Sequence, residues 1–334
     1  MGNEWVLYSD SPLQTSLSRF ANVTLRFGKS PPQSVTGLAY SQGIYCRWLK
    51  KDKADLFWSP RHHLPVLSDR KIPTVVTIHD VVWKRFPQTM SKPTFLLEML
   101  LMRRSIARAR KVICVSEFTK SEVAFFWPEF AAKCRVVYSG ATSIPDNPEK
   151  YPQADKPYIL FVGTMEPRKN LSRLLRAYSN LVEKGIEENL VIIGSQGWGN
   201  EQLLSVIQSL NIQERVKLAG FVRDEELDYM YRNARCLVMP SLYEGFGLPV
   251  VEAMKYGVPV VVSDTGSLPE IAANAGTYID PFSIDSIEGG LTSILIDETR
   301  YRAMSRAASD RAVQFSWKRA GELTLKNLES AANA

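Results

Sequence analysis

At 334 residues, with 45% hydrophobic and 23% charged side chains, the chain suits two packed domains, and its composition excludes collagenous, low-complexity and disulfide-knotted classes. Residues 1–20 lack a basic start followed by an apolar stretch, and Glu98 interrupts the apolar run FLLEMLLM (95–102), so neither a secretory signal nor a membrane span is expected. The net charge of +6 is unevenly shared: residues 1–150 carry 22 Lys+Arg against 12 Asp+Glu, and residues 151–334 carry 19 against 23, so the first half either faces anions or is a solvated basic surface.

In chain order, WVLYS (5–9), VTLRF (23–27), DLFWS (55–59), TVVTIHD (74–80), KVICVS (111–116) and CRVVYSG (134–140) read as strands. Helices are expected over roughly 94–110 and 117–126, the second starting after Ser116 as N-cap. Residues 1–150 therefore read as a Rossmann-like domain with an irregular opening. His79 lies at the C-terminal end of its strand, where an open parallel sheet presents residues to a ligand, with Asp80 as its expected partner. His62 and His63 are adjacent, so their side chains are expected to diverge from a loop, and no metal site is expected. Cys46, Cys114, Cys134 and Cys236 show no paired spacing, which fits a reducing cytoplasm. The run IPDNPEKYPQADKP (144–157), with four prolines, reads as a linker.

The second half has a regular beat. Strand-like runs at 158–164, 190–195, 216–221, 236–241 and 258–264, with a weaker sixth at 277–280, alternate with amphipathic helices. In 171–182, Leu171, Leu174, Leu175, Tyr178, Leu181 and Val182 share one face. This pattern predicts a parallel sheet covered on both faces, a second Rossmann-like domain over 151–312, followed by a terminal segment over 313–334. The expected fold is α/β, two such domains facing across a cleft.

Two loops carry chemistry. In FVGTMEPRKNLSRLL (161–175) a strand ends at Gly163 and Thr164, and the loop delivers Arg168 and Lys169 ahead of a helix that Asn170 is expected to cap. Bases at a helix N-terminus oppose its dipole unless an anion joins them, and a pyrophosphate is such an anion. In SLYEGFGLPVVEAMKYGVPVVVSDTGSLPEI (241–271), Gly245, Phe246 and Gly247 precede a helix starting near Leu248, with Pro249 in its first turn. Such glycines let backbone N–H groups approach an anion. Glu244 and Glu252 bracket the loop and can grip hydroxyls on two parts of an extended polyol.

Segment 241–271 resembles the donor-site signature of glycosyltransferase family 4, retaining enzymes of the two-Rossmann GT-B fold, and the likeness extends over roughly residues 40–330. The resemblance implies that Glu252 binds the nucleotide ribose, that Glu244 and His79 lie at the transferred sugar, and that amides of Gly245, Phe246 and Gly247 contact the sugar or its phosphate. Arg168 and Lys169 would hold the diphosphate and stabilise the leaving nucleotide in place of a metal. Gly163, Thr164 and Leu248 complete the implied donor site, and Ser116 and Glu117 would lie near the cleft. FSWKRAGELTLKNL (315–328) resembles the family's closing helix, which crosses back to the N-terminal domain; an ordinary amphipathic terminal helix would show the same residues.

The implied activity is hexose transfer from a nucleotide diphosphate sugar to a saccharide or lipid-linked acceptor in polysaccharide biosynthesis, without a cofactor or nucleic acid. Likeness of the EPRKN form to the bacterial polysaccharide branch suggests GDP-mannose. Leu96, Leu97, Leu100 and Leu101, followed by Arg103, Arg104, Arg108, Arg110 and Lys111, form a helix that could lie on an anionic membrane or pack in the core. Family members usually open with a strand, a glycine-rich loop and a helix ahead of the segment that MGNEWVLYSD resembles. A shortened N-terminal domain is therefore expected, with an exposed sheet edge unless residues 1–45 cover it. Two other readings remain: another two-Rossmann sugar-nucleotide enzyme such as an epimerase, and a non-catalytic nucleotide-sugar-binding module.

Overall fold

The computed structural model describes residues 2–13, 15–28, 40–65, 67–141, 157–197 and 201–333, so the expected linker lies outside the described residues except for Pro157. The first half contains β1 (Trp5–Ser9), β2 (Val23–Phe27), α1 (Tyr45–Asp52), β3 (Phe57–Ser59), β4 (Thr74–Ile78), α2 (Val82–Arg85), α3 (Lys92–Arg108), β5 (Lys111–Cys114), α4 (Glu117–Phe126) and β6 (Cys134–Val136). The second half contains β7 (Tyr158–Val162), α5 (Leu171–Glu183), β8 (Asn189–Ile193), α6 (Glu201–Ser209), β9 (Val216–Gly220), α7 (Asp224–Arg232), β10 (Cys236–Met239), α8 (Leu248–Lys255), β11 (Val260–Ser263), α9 (Leu268–Ala272), β12 (Gly276–Ile279), α10 (Ile284–Leu295), α11 (Glu298–Ala312) and α12 (Trp317–Ala332).

The second half forms one six-stranded parallel sheet, ordered β12-β11-β10-β7-β8-β9. Alternation along each strand assigns its side chains to two cores. Tyr158 and Leu160 join Val191, Ile193, Leu237 and Met239 on one face; Ile159 and Phe161 join Leu190, Ile192, Cys236 and Val238 on the other. The expected stripe of α5 is buried at Leu171, Leu174, Leu175, Tyr178 and Leu181. Chain order runs outward from β7 through β8 to β9, then returns to β10 on the opposite side. The sheet therefore has its switch point between β7 and β10, and a crevice opens there beyond the strands' C-terminal ends.

The first half is less uniform. β3, β4, β5 and β6 make a four-stranded parallel sheet, whereas β1 and β2 pair with each other in a separate two-stranded one. Among the described residues β1 and β3 each have one edge without a strand partner. Trp5 and Trp58 pack over one face of the larger sheet with Val75, Ile113 and Val137. α12 covers that same face with Ala320, Leu328 and Ala331. Arg110 Nη1 donates to Ala331 O at 2.9 Å and Lys111 Nζ to Ser330 Oγ at 2.7 Å, placing cations at the helix C-terminus where the dipole favours them. The terminal helix thus crosses to the first half.

α3 begins at Lys92, capped by Ser91, and α4 begins after Ser116, whose Oγ accepts from Thr119 N. α3 turns Met102, Ser105, Ile106 and Glu98 inward and leaves Leu96, Met99 and Leu100 exposed. No helix among the described residues is long and apolar enough to cross a membrane.

Candidate functional site

The two chemistry-bearing loops leave the neighbouring central strands β7 and β10. After β7, Pro167–Lys169 forms a 3-10 turn and Asn170 takes a left-handed backbone (φ 61°, ψ 30°). That backbone carries the Asn170 side chain away from the first amides of α5, so the expected side-chain cap is not made. Its Nδ2 instead donates to Pro240 O at 3.0 Å and Pro281 O at 2.6 Å, tying the loop to the ends of β10 and β12.

Glu244 meets both cations. Its Oε1 accepts from Lys169 Nζ at 2.6 Å and its Oε2 from Arg168 Nη1 at 3.0 Å. Arg168 also donates through Nε to Glu166 at 3.0 Å and through Nη1 to Tyr243 O at 3.1 Å. Glu244 and Lys169 are each only 6% exposed. Burial opposes ionisation of Glu244, but the Lys169 and Arg168 charges outweigh it and hold the carboxyl down to about 2. Burial likewise opposes the Arg168 charge, yet Glu244 and Glu166 keep its pKa above the ordinary value.

The anion expected beside these bases is thus already supplied by Glu244. Capacity remains, however. An ammonium carries three N–H groups and Glu244 takes one; Arg168 Nη2 donates to no described residue.

Beside this group the chain runs through Gly245, Phe246 and Gly247 into α8. Their three amides donate to no described protein group. Gly247, at φ +98°, turns the chain into the helix at a backbone angle glycine adopts without strain, and Pro249 fills the first turn. Phe246 is buried between Tyr138 and Phe315. Leu248 opens the helix half-exposed. Glu252, on the second turn, is buried and accepts from Tyr231 OH at 2.8 Å; no bond joins it to the Glu244 group. Thr164 is exposed at the end of β7, and Gly163 lies against the Lys169 side chain.

The first half closes over this loop. A Cβ on Gly245 would overlap the His79 carbonyl oxygen, so only glycine permits the approach. Ser116 Oγ and Thr119 Oγ1 donate to Gly245 O at 2.7 and 3.1 Å, and Val81 N donates to Tyr243 OH at 3.2 Å. Glu270, on α9, accepts the first amides of α4 from Glu117 N at 2.7 Å and Phe118 N at 2.9 Å. The C-terminal ends of β4 and β5 therefore face the end of β10.

His79 follows β4 directly. Its Nε2 bonds Pro60 O at 2.7 Å and so carries the proton, leaving Nδ1 as the ring atom with no bond to a described residue. Loss of hydration lowers its pKa despite that bond. Asp80 is not its partner: Oδ1 accepts Val82 N at 3.1 Å and closes the turn into α2. The adjacent His62 and His63 do not diverge either. The chain bends at this point, and the rings stand 89° apart and reach the two oxygens of one carboxylate, Glu98, at 3.2 and 3.1 Å.

Sequence reasoning missed Glu166, Tyr231, Tyr243, Glu270 and Glu98. Glu166 had a signal, lying two residues before Arg168 in the same motif. Tyr243, directly before Glu244, and Glu270 lie in the quoted 241–271 segment and had a similar signal; Tyr231 and Glu98 come from separate elements and had none.

The description "Glycosyltransferase Family 4" fits residues 5–142, and "Glycosyl transferases group 1" fits residues 143–311. O-antigen chain mannosyltransferase B of Escherichia coli is 33% identical over 282 residues, covering 81% of this chain and 73% of that protein. O-antigen chain mannosyltransferase RfbU of Salmonella typhimurium is 26% identical over 257 residues, covering 75% and 69%. Anabaena HepE, solved in complex with UDP-glucose, shares the fold at a TM-score of 0.75 and 17% identity, covering 98% of this chain and 100% of that one. With the parallel sheets and facing strand ends described above, these matches establish that the chain is a GT-B transferase belonging to glycosyltransferase family 4.

Proposed function

We propose that the chain is a retaining hexosyltransferase that moves mannose from GDP-mannose to a saccharide or lipid-linked acceptor in polysaccharide biosynthesis. One observation carries this reading: Glu244, Lys169 and Arg168 form a buried charge cluster beside three amides that no described residue uses. The diphosphate lies on those amides, and the remaining N–H groups of Lys169 and Arg168 receive its charge. Mannose is supported by the names of the O-antigen relatives.

In the transfer, the bond from the sugar's C1 to the diphosphate oxygen breaks. The acceptor oxygen bonds C1 on the same face, and the acceptor's proton passes to the departing phosphate. Negative charge grows on the leaving group, so fixed cations that need no reorganisation stabilise the transition state. Arg168 and Lys169 do this without a metal, and no cofactor takes part. Glu244 and His79 position the sugar, and Glu252 holds the ribose.

The enzyme works in the cytoplasm against the inner face of the membrane. Leu96, Met99 and Leu100 are exposed on α3, one turn before the exposed Arg103 and Arg104, an arrangement suited to anionic lipid. Sedimentation with anionic vesicles should show pelleting at low salt, and its absence would end the membrane reading.

The deciding experiment is a panel of nucleotide sugars scored by thermal stabilisation and by release of free nucleotide with acceptor present. GDP-mannose should stabilise most and turn over. Stabilisation without turnover across many acceptors would identify a binding module; product without acceptor would identify an epimerase; preference for another sugar would overturn the donor.

A further inference from the structure

The chain contains three histidines; outside the charge cluster two of them, His62 and His63, meet one carboxylate, Glu98, and the third, His79, meets His62. Glu98 is 8% exposed. It receives His62 through Nδ1 on Oε1 and His63 through Nε2 on Oε2. An ionised carboxylate only accepts, so both of those ring nitrogens carry protons. The other nitrogen of His62, Nε2, lies 3.1 Å from the backbone nitrogen of His79, and an amide only donates. His62 is therefore neutral with its proton on Nδ1, a tautomer that a histidine side chain in water disfavours. Glu98 selects it.

What this tautomer holds is the backbone of the residue at which the two halves meet. The His79 N–H goes to His62, while the His79 carbonyl oxygen shares the single Thr119 hydroxyl proton with Gly245 O and lies close against Gly245. We infer that Glu98 and His62 form a positioning relay for sugar transfer, fixing the His79 backbone whose N–H they hold and whose carbonyl meets the Gly245–Gly247 loop. Neither residue touches the donor. The inference rests on the donor site proposed above, and it names two residues that this reading does not use.

The relay has a chemical weakness. A second proton on His62 would occupy Nε2, set two donors face to face, and release the His79 amide. The groups facing His62 are Glu98 from α3, the neighbouring His63, and His79 and Asp80 after β4. Burial opposes the charged ring, but Glu98 and Asp80 favour it more and raise its pKa above the ordinary histidine value. The His79 ring, by contrast, titrates below that value. Turnover should therefore fall as pH drops through the His62 pKa, above the range where His79 itself protonates.

With only three histidines, spectra of histidine-15N-labelled protein can be assigned by substitution. At neutral pH one ring should be protonated on Nδ1 and two on Nε2, and His62→Gln should remove the Nδ1 signal. Glu98→Gln keeps the shape but removes the charge. It should lower kcat by ~10-fold or more with little change in donor KM, as expected for misplaced rather than missing contacts. It should also move the acid limb of the pH profile to lower pH, because His62 loses its anionic partner. His62→Gln, whose Oε1 can accept the His79 amide without titrating, should recover turnover relative to His62→Ala and flatten that limb.

A His62 ring protonated on Nε2 in the wild type, or an unchanged profile in both Gln variants, would overturn the relay alone. If wild-type protein transfers no sugar from any nucleotide donor, the functional reading fails and the relay's role in transfer fails with it. The tautomer spectra would then report only the geometry.

Discussion

Glu244 in the second half and Glu98 in the first are both buried glutamates held down to about 2, and they are held by different chemistry. Burial opposes ionisation at each. Around Glu244 the opposing force comes from an ammonium and a guanidinium, whose charge persists across the physiological range. Around Glu98 it comes from hydrogen bonds donated by two imidazoles, and one of them, His62, has its pKa raised above the ordinary histidine value. Under the proposed function, the group that meets the donor diphosphate on every turnover is built around a guanidinium and an ammonium. A group that only holds a backbone in place can use titratable ones, and its state then follows pH.

The largest effect should come from Lys169→Ala. Removing one preorganised donor from a developing negative charge should lower kcat by ~10²–10³-fold. Arg168 still neutralises Glu244, so stability should fall by less than the ~3–5 kcal/mol typical of a fully broken buried pair. The acid limb of the pH profile should not move, since no titrating group near neutrality has changed. A shifted limb in Lys169→Ala would break the contrast between the two glutamates; kcat within a few-fold of wild type would remove Lys169 from the transfer.

Glu244→Gln should separate binding from catalysis. The cluster of Arg168, Lys169, Glu166 and Glu244 is balanced, and neutralising one carboxylate leaves a net positive charge for the phosphates. Free nucleoside diphosphate should therefore bind more tightly, by ~3–10-fold for a gain of order 1 kcal/mol. Turnover should drop ~10-fold or more because the sugar loses its positioning group. Isothermal titration paired with initial rates would check this; weaker nucleotide binding would show that Glu244 supports the phosphate contact rather than competing for it.

Acid unfolding gives the next contrast. A carboxylate with a depressed folded pKa contributes stability above its unfolded pKa and loses it as pH falls through the folded one. For Glu244 and Glu98 that window runs from the ordinary value of 4.5 down to about 2. Glu244→Gln and Glu98→Gln should each flatten the fall in melting temperature across this window while lowering it at pH 7. An unchanged slope in either variant would mean that carboxylate is not held down by its neighbours.

How readable these features were in the sequence follows from their range. The sheet of the second half was legible because each strand is an uninterrupted apolar run and each helix shows one stripe, as at Leu171, Leu174 and Leu175. His79 was legible as a strand-end residue, and Arg168, Lys169 and Glu244 as residues of the loops that run from strand ends to helix starts. The pairing of Glu244 with both cations was not, because it spans 75 residues and depends on β7 and β10 being neighbours. The split of the first half into two sheets was hidden too: WVLYS and VTLRF read as strands equal to the rest, and periodicity carries no information about which edges meet. Glu98 read as a charge interrupting an apolar helix. Its reason is the two imidazoles that a loop 35 residues earlier brings beneath it.

A third buried glutamate extends the comparison and carries the smallest expected effect. Glu252 meets a phenol: Tyr231 OH donates to it at 2.8 Å, and burial together with that carboxylate raises the tyrosine pKa far above its ordinary value. A neutral donor can orient a carboxylate without neutralising it, which suits the ribose-binding role proposed for Glu252. Tyr231→Phe removes the orienting bond and keeps the ring stacked on Tyr256. A hydrogen bond to a charged acceptor contributes ~1.5–3 kcal/mol, part of which water or a rotated Glu252 recovers. If Glu252 holds the ribose as proposed, that contact is made equally in the bound donor and in the transition state, so the loss should appear as a rise of ~3–10-fold in donor KM with kcat nearly constant. A fall in kcat at constant KM would instead place Glu252 at the reacting sugar, beside Glu244, and would merge the two carboxylates that the structure holds apart.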